Sequence, residues 1–126
     1  MHEVFPQQRG NFRLDHLGPM TATMSQTPRY EHLRPGGTVS GPTMFTIADC
    51  AFYAAVLGMI GREALTVTTN MNINFLRKPG AGADLICTAR ILKLGRTLAM
   101  GDCTVWSDGK HAPVAHATAT YAIPPG

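Results

Sequence analysis

One stretch limits what this chain can fold into. Between residues 43 and 60 the apolar side chains are Met44, Phe45, Ile47, Ala48, Ala51, Phe52, Ala54, Ala55, Val56 and Leu57. On a 3.6-residue period they fall on every side, so a helix here must be covered all round. Its only charged residue is Asp49. Burying a carboxylate is costly unless something pairs with it or uses it. Ahead of the helix the chain reads Gly36-Gly37-Thr38-Val39-Ser40-Gly41-Pro42. Pro42 suits the first helical position, where a missing N–H costs nothing. Gly41, just before it, lets the backbone come close to a ligand. An amide-rich helix mouth and a lone acid on a buried helix are the chain's main functional signals. Gly58 and Gly61 read as the helix stop.

After the helix the period changes to two. Residues 65–75 set Val67, Thr69, Met71, Ile73 and Phe75 against Thr66, Thr68, Asn70, Asn72 and Asn74. Residues 85–94, 98–106 and 114–123 read as further strands, with a tight turn at Gly95-Arg96 and a hairpin signal at Ser107-Asp108-Gly109-Lys110. Before the helix, residues 20–25 alternate and Tyr30–Leu33 forms a second short extended piece, followed by the turn Arg34-Pro35-Gly36-Gly37. Residues 1–18 read as an arm with little regular structure, and residues 19–126 as one domain. The expected order is a strand, the helix, then four antiparallel strands joined by short turns. One sheet of about five strands covers a single apolar helix only by curling around it, an α+β arrangement.

Only 15% of the residues are charged and 44% are hydrophobic, which suggests surface hidden in an oligomer. The net charge of +3 is scattered, with Arg77-Lys78 the only adjacent basic pair. That argues against a nucleic-acid interface and leaves room for a local anion site. Cys50, Cys87 and Cys103 are odd in number and lack metal-ligand spacing. They read as reduced buried thiols of a cytoplasmic protein, with no metal. Residues 1–4 carry no signal pattern. The helix holds Asp49 and two late glycines and no second span follows, so no membrane partner is expected.

The segment Arg34-Pro35-Gly36-Gly37-Thr38-Val39-Ser40-Gly41-Pro42, continued by Ile47-Ala48-Asp49, resembles the N-P-x-G-T-x-H-G-G-x-x-x-x-L-A-D signature of hotdog-fold thioesterases of the phenylacetic-acid-degradation and 4-hydroxybenzoyl-CoA group. The resemblance continues through residues 71–77, 95–99 and 114–121. It implies a hotdog fold, a sheet wrapped around one long helix and paired into a homodimer or homotetramer. It also implies hydrolysis of an acyl-CoA thioester without a cofactor. The family's acid falls on Asp49 and its oxyanion glycine on Gly41. A backbone N–H at a helix N-terminus polarises the thioester carbonyl, and the carboxylate activates water or attacks the carbonyl itself. In the family these two parts reach one substrate from different subunits.

Thr68 falls where relatives place a Ser or Thr that helps hold water. The chain departs from the signature where Ser40 and Pro42 replace the family histidine and second glycine, and where Arg34 replaces the family asparagine. Arg34 either pairs with Asp49 and weakens it as a base or binds an acidic acyl group. Ser40 reads as a helix cap as readily as a site residue. Thr68 reads equally as an ordinary strand residue, Asp49 as a structural acid, and His116 as structural. Arg77, Lys78 and Arg96, with Asn70, are assigned to substrate binding, the basic three at the coenzyme A phosphates or else as a solvated rim. The chain thus reads as an acyl-CoA thioesterase. The alternative is a non-catalytic hotdog module that binds an acyl thioester or only oligomerises.

Overall fold

A computed structural model describes residues 12–27, 41–60, 67–77, 83–107 and 112–123. Within them lie β1 (Phe12–Gly18), β2 (Thr21–Gln26), α1 (Gly41–Ile60), β3 (Val67–Phe75), β4 (Leu85–Leu94), β5 (Leu98–Ser107) and β6 (Ala115–Ala122). The six strands form one sheet in the order β1-β2-β4-β5-β6-β3, with every neighbouring pair antiparallel. The helix lies against one face of that sheet, chiefly over β4, β2 and β5. This is the α+β hotdog arrangement expected from the sequence. Thr43–Ile60 is long and apolar enough to cross a bilayer by composition, yet Ile47, Ala48, Ala51, Phe52, Ala55 and Val56 are fully buried against the sheet.

The strands alternate as a half-covered sheet should. In β5, Ala99, Gly101, Cys103, Val105 and Ser107 are buried, while the residues between them face the other side. In β6, Ala115, Ala117, Ala119 and Tyr121 are buried. Alanine holds three of the four inward places in β6, Ala115, Ala117 and Ala119, whereas β4 turns Leu85, Cys87, Ala89 and Ile91 inward.

Three expectations need correction. Residues 12–18, read as part of an unstructured arm, form β1. Its inward residues are Phe12, Leu14 and Leu17, opposite Gln26, Met24 and Ala22. A register shift between Leu14 and His16 leaves Asp15 unpaired and breaks the period of two that marks a strand. The sheet therefore has six strands rather than about five. Second, β3 does not continue into β4 by a short turn between neighbours. It occupies the far edge beside β6, so the connection to β4 crosses three strand spacings, about 14 Å. Third, Gly58 does not end the helix, which runs to Ile60. A Cβ there would sit 2.9 Å from Leu17 Cδ1, so this glycine admits β1 against the helix. The expected extended piece at residues 30–33, the turn at 34–37, Gly61 and the hairpin tip at 108–110 lie outside the described residues.

Gly101 marks the tightest packing between helix and sheet. A Cβ at this position would lie 1.9 Å from the Arg90 carbonyl oxygen and 2.6 Å from Phe52 Cε1. Neither backbone nor a buried ring yields cheaply. Gly101→Ala is therefore expected to destabilise the fold by about 3 kcal/mol, read as a lowered urea midpoint at unchanged m-value. An unaltered midpoint would refute this account of the contact.

Candidate functional site

The helix is not covered all round by its own sheet. From Gly41 to Leu57, the described side chains that stay partly open are Gly41, Phe45, Thr46, Asp49, Tyr53 and Leu57. Five of these recur every fourth residue, the spacing of one ridge along a helix surface. The ridge is apolar except at Asp49. The lone acid therefore stands half-buried on this open strip, flanked by Phe45 one turn before and Tyr53 one turn after.

Two hydroxyls hold its carboxylate. Thr68 Oγ1 of β3 donates to Asp49 Oδ1 at 3.0 Å. The Tyr121 hydroxyl of β6 donates to the same oxygen and lies 2.8 Å from the Asp49 backbone carbonyl. Thr68 and Tyr121 are direct partners in the β3–β6 ladder, so the sheet register itself brings the two donors to one point. Burial, reinforced by the neighbouring Asp49 charge, pushes the Tyr121 phenol far above its ordinary range. It stays protonated and remains a donor. Its ring packs edge-on against Phe52 at 5.0 Å between centroids and against Tyr53 at 6.3 Å. Asp49 Oδ2 has no hydrogen bond among the described residues.

Thr68 reaches this point through a bulge. A strict period of two groups Thr68 with Asn70 and Asn72, on the face opposite Met71 and Ile73. The β3–β6 register shifts between Thr68 and Asn70, leaving Thr69 as an extra residue. Thr68 therefore joins Met71 and Ile73 on the helix side. Thr69 Oγ1 instead bonds the Thr120 carbonyl at 3.0 Å. Asn70, assigned to substrate binding, faces away from Asp49 and accepts from Asn72 Nδ2 at 3.3 Å.

Gly41 begins the helix, where the N–H groups of the first turn lack intrahelical partners. It stands eight residues before Asp49, about 12 Å along the axis. The two cannot flank one carbonyl within a single chain. A Cβ on Gly41 would meet the Phe75 ring at 3.0 to 3.4 Å, so Phe75, itself 52% exposed, lies over the helix mouth.

The basic residues do not converge. The Leu76 and Arg77 amides both bond the Val114 carbonyl, whereas Ile123 bonds Thr97. Arg77 and Arg96 thus mark opposite ends of β6, about 30 Å apart. One chain does not bring them to a single phosphate group. Arg77 also donates to the Pro113 carbonyl. Arg34, Ser40 and Lys78 lie outside the described residues.

A second polar cluster sits on the sheet's outer face. Arg90 donates to both oxygens of Asp102 at 3.2 and 3.1 Å, and His116 Nε2 lies 3.1 Å from Asp102 Oδ2. Burial alone would raise the Asp102 pKa, but the Arg90 and His116 hydrogen bonds outweigh it and hold the group below its usual range. The cluster ties β4, β5 and β6 together on the face away from Asp49, consistent with a structural His116. The three cysteines form no disulfide and are buried. Burial, aided by the Asp49 charge, pushes the Cys50 thiol up to about 12, which leaves it inert.

Tyr121 is the site residue that sequence reasoning missed. It ends a run of small alternating residues, where a tyrosine reads as core filling. The available signal was its hydroxyl: a tyrosine on an inward row needs a polar partner, and the helix offers one acid.

Comparison with known proteins agrees with this geometry. A protein from a Silicibacter species, described as a candidate thioesterase, superposes with a TM-score of 0.92 at 56% identity, covering 98% of this chain and 86% of that one. The phenylacetic acid degradation protein PaaI from Thermus thermophilus, solved as a mutant, has a TM-score of 0.80 at 30% identity, covering 93% and 97%. Human acyl-coenzyme A thioesterase 13 is 30% identical over 95 residues, which span 75% of this chain and 67% of that protein. Residues 36–114 match the thioesterase superfamily as a family. With its fold, its helix acid and these relatives taken together, the chain belongs to the thioesterase superfamily, and its relatives support a thioesterase role.

Proposed function

We propose that the protein hydrolyses acyl-coenzyme A thioesters in a site shared between two copies of the chain. The observation that carries this reading is the Asp49 carboxylate on an open apolar ridge, its Oδ1 fixed by two hydroxyls. As general base, Asp49 takes a proton from water while the water oxygen attacks the thioester carbonyl. The tetrahedral oxyanion is stabilised by a helix N-terminal amide at Gly41. Collapse breaks the C–S bond, and the proton held on Asp49 passes to the departing thiolate. The products are a carboxylic acid and free coenzyme A. Attack by Asp49 itself would reach the same products through an anhydride that water then cleaves. Neither route calls for a cofactor.

The 12 Å between Asp49 and Gly41 of one helix supports a shared site. A two-fold axis near Phe45 would set Asp49 of each copy against Gly41 of the other, since a two-fold contact is reciprocal. The unpaired edge of β3, bearing Asn70, Asn72 and Asn74, is open to pairing with a second copy. The coarser alternative, a non-catalytic module, is one outcome of the tests that follow.

Asp49→Asn keeps the size and removes the charge. It should lower kcat by two or more orders of magnitude, on the order of 3 kcal/mol of transition-state stabilisation. Thiol release is the readout, and a folded variant with wild-type turnover would leave Asp49 structural. Tyr121→Phe deletes a hydrogen bond to a charged group and should lower kcat about tenfold, with the circular dichroism spectrum retained. Shared sites also predict complementation. Gly41→Pro removes the amide donor, and Asp49→Asn removes the base. Each variant alone should be inactive, while denaturing and refolding them together should restore roughly a quarter of wild-type turnover, because half the pairs are mixed and each has one intact site. No recovery on mixing would place the whole site within one chain.

A further inference from the structure

We propose that the Phe45 side chains of two copies meet at the two-fold axis and form one end wall shared by the acyl groups of both sites. The inference rests on the shared-site thioesterase reading above and adds a specificity residue to it. Phe45 stands midway between Gly41 and Asp49 in the sequence. When Asp49 of each copy faces Gly41 of the other, the two Phe45 positions therefore face each other at the axis. The ring is 36% exposed in the single chain, which leaves surface for its counterpart to cover. The two reacting carbonyls then lie about 12 Å apart along the helices, with the ring pair halfway, about 6 Å from each.

The two ways out of each site differ. Toward the axis lies a strip that both sites share. Between Gly41 and Asp49 the helix carries no charge, and its described open side chains there are Phe45 and Thr46. A coenzyme, with its pantetheine arm and nucleotide, is longer than the whole strip and cannot enter it from both sites at once. Away from the axis lies the partner's helix mouth. In each chain β3 runs from Thr68, beside Asp49, to Phe75, over Gly41. The Leu76 and Arg77 amides then bond the Val114 carbonyl, so the chain carries Arg77 onward past the mouth. Each site therefore has the partner's Arg77 on its outer side, where a coenzyme's phosphates would leave. The axis side is left for the acyl group, which there meets Phe45. An extended carbon chain advances about 1.2 Å per bond, so about five bonds fill the room before the ring.

The test uses uncleavable S-butyl- and S-decyl-coenzyme A thioethers, titrated calorimetrically into the full chain, with light scattering to confirm that copies remain paired. Wild type should bind the butyl thioether once per chain and the decyl thioether no more tightly. Phe45→Ala should raise the decyl-to-butyl affinity ratio about tenfold, the effect of burying two more methylene groups. Its decyl thioether should bind once per two chains, because ten bonds span about 12 Å and cross into the neighbouring site. Phe45→Leu keeps an apolar contact at the axis and should move the ratio in the same direction if the alanine variant fails to pair. A ratio and a stoichiometry unmoved by Phe45→Ala or Phe45→Leu, with butyl binding retained, would overturn the wall alone. Paired wild type that binds neither thioether would overturn the coenzyme A reading together with it.

Discussion

Everything in this molecule follows from the need to cover one helix that has no polar side. A flat sheet touches a single face of a helix, so the strands here must bend. Three of them carry an extra residue, at Asp15 in β1, Thr69 in β3 and Leu92 in β4. Such bulges bend and twist the strand that bears them and let the sheet curl. Even so, a curled sheet does not close. The strip it leaves uncovered, from Gly41 to Leu57, is where the lone acid stands.

The bulges also explain what was and was not legible in the sequence. β4 reads the same in sequence and structure, because its alternation is unbroken from Leu85 to Ile91 before the shift. β5 and β6 come within a residue or two at their ends. β1 was hidden because Asp15 puts Leu14 and Leu17 three apart, a spacing that signals no strand. In β3 the strand was legible but its inward face was not, since alternation alone sends Thr68 to the wrong side. Strand order was also out of reach: the segments follow one another in the chain, yet β3 pairs with the last strand and not the next. Asp49 was legible for the opposite reason. A single charge among apolar residues is visible without any knowledge of partners, whereas Tyr121 becomes a site residue only once the ladder sets it beside Thr68.

The site shows a division of labour between elements. In the reaction we propose, the helix supplies both reacting groups, an acid and an amide, at a separation too great for one carbonyl. The two strands at one end of the sheet supply only hydroxyls, which orient the acid without competing for its charge. Because burial and the neighbouring Asp49 charge hold the Tyr121 phenol far above its ordinary range, it remains a hydrogen-bond donor to the acid. The charged cluster of Arg90, Asp102 and His116 is kept on the opposite face, where its fields act on the strands it joins and not on the reacting oxygen.

The pattern of contacts on the helix backbone has a mechanical consequence. A helix that is equally apolar in every direction gains little from any one rotation about its own axis, so hydrophobic packing leaves its phase weakly determined. Here the Ala48 carbonyl accepts from Cys103 Sγ at 3.4 Å, and the Asp49 carbonyl, 2.8 Å from the Tyr121 hydroxyl, shares its single proton with the Asp49 carboxylate. The donors come from β5 and β6 and meet the helix at one level. They act as a key in a shaft, locking the angle at which the helix sits in its sleeve. The same tyrosine that holds the carboxylate thereby also fixes the direction in which the whole helix presents it.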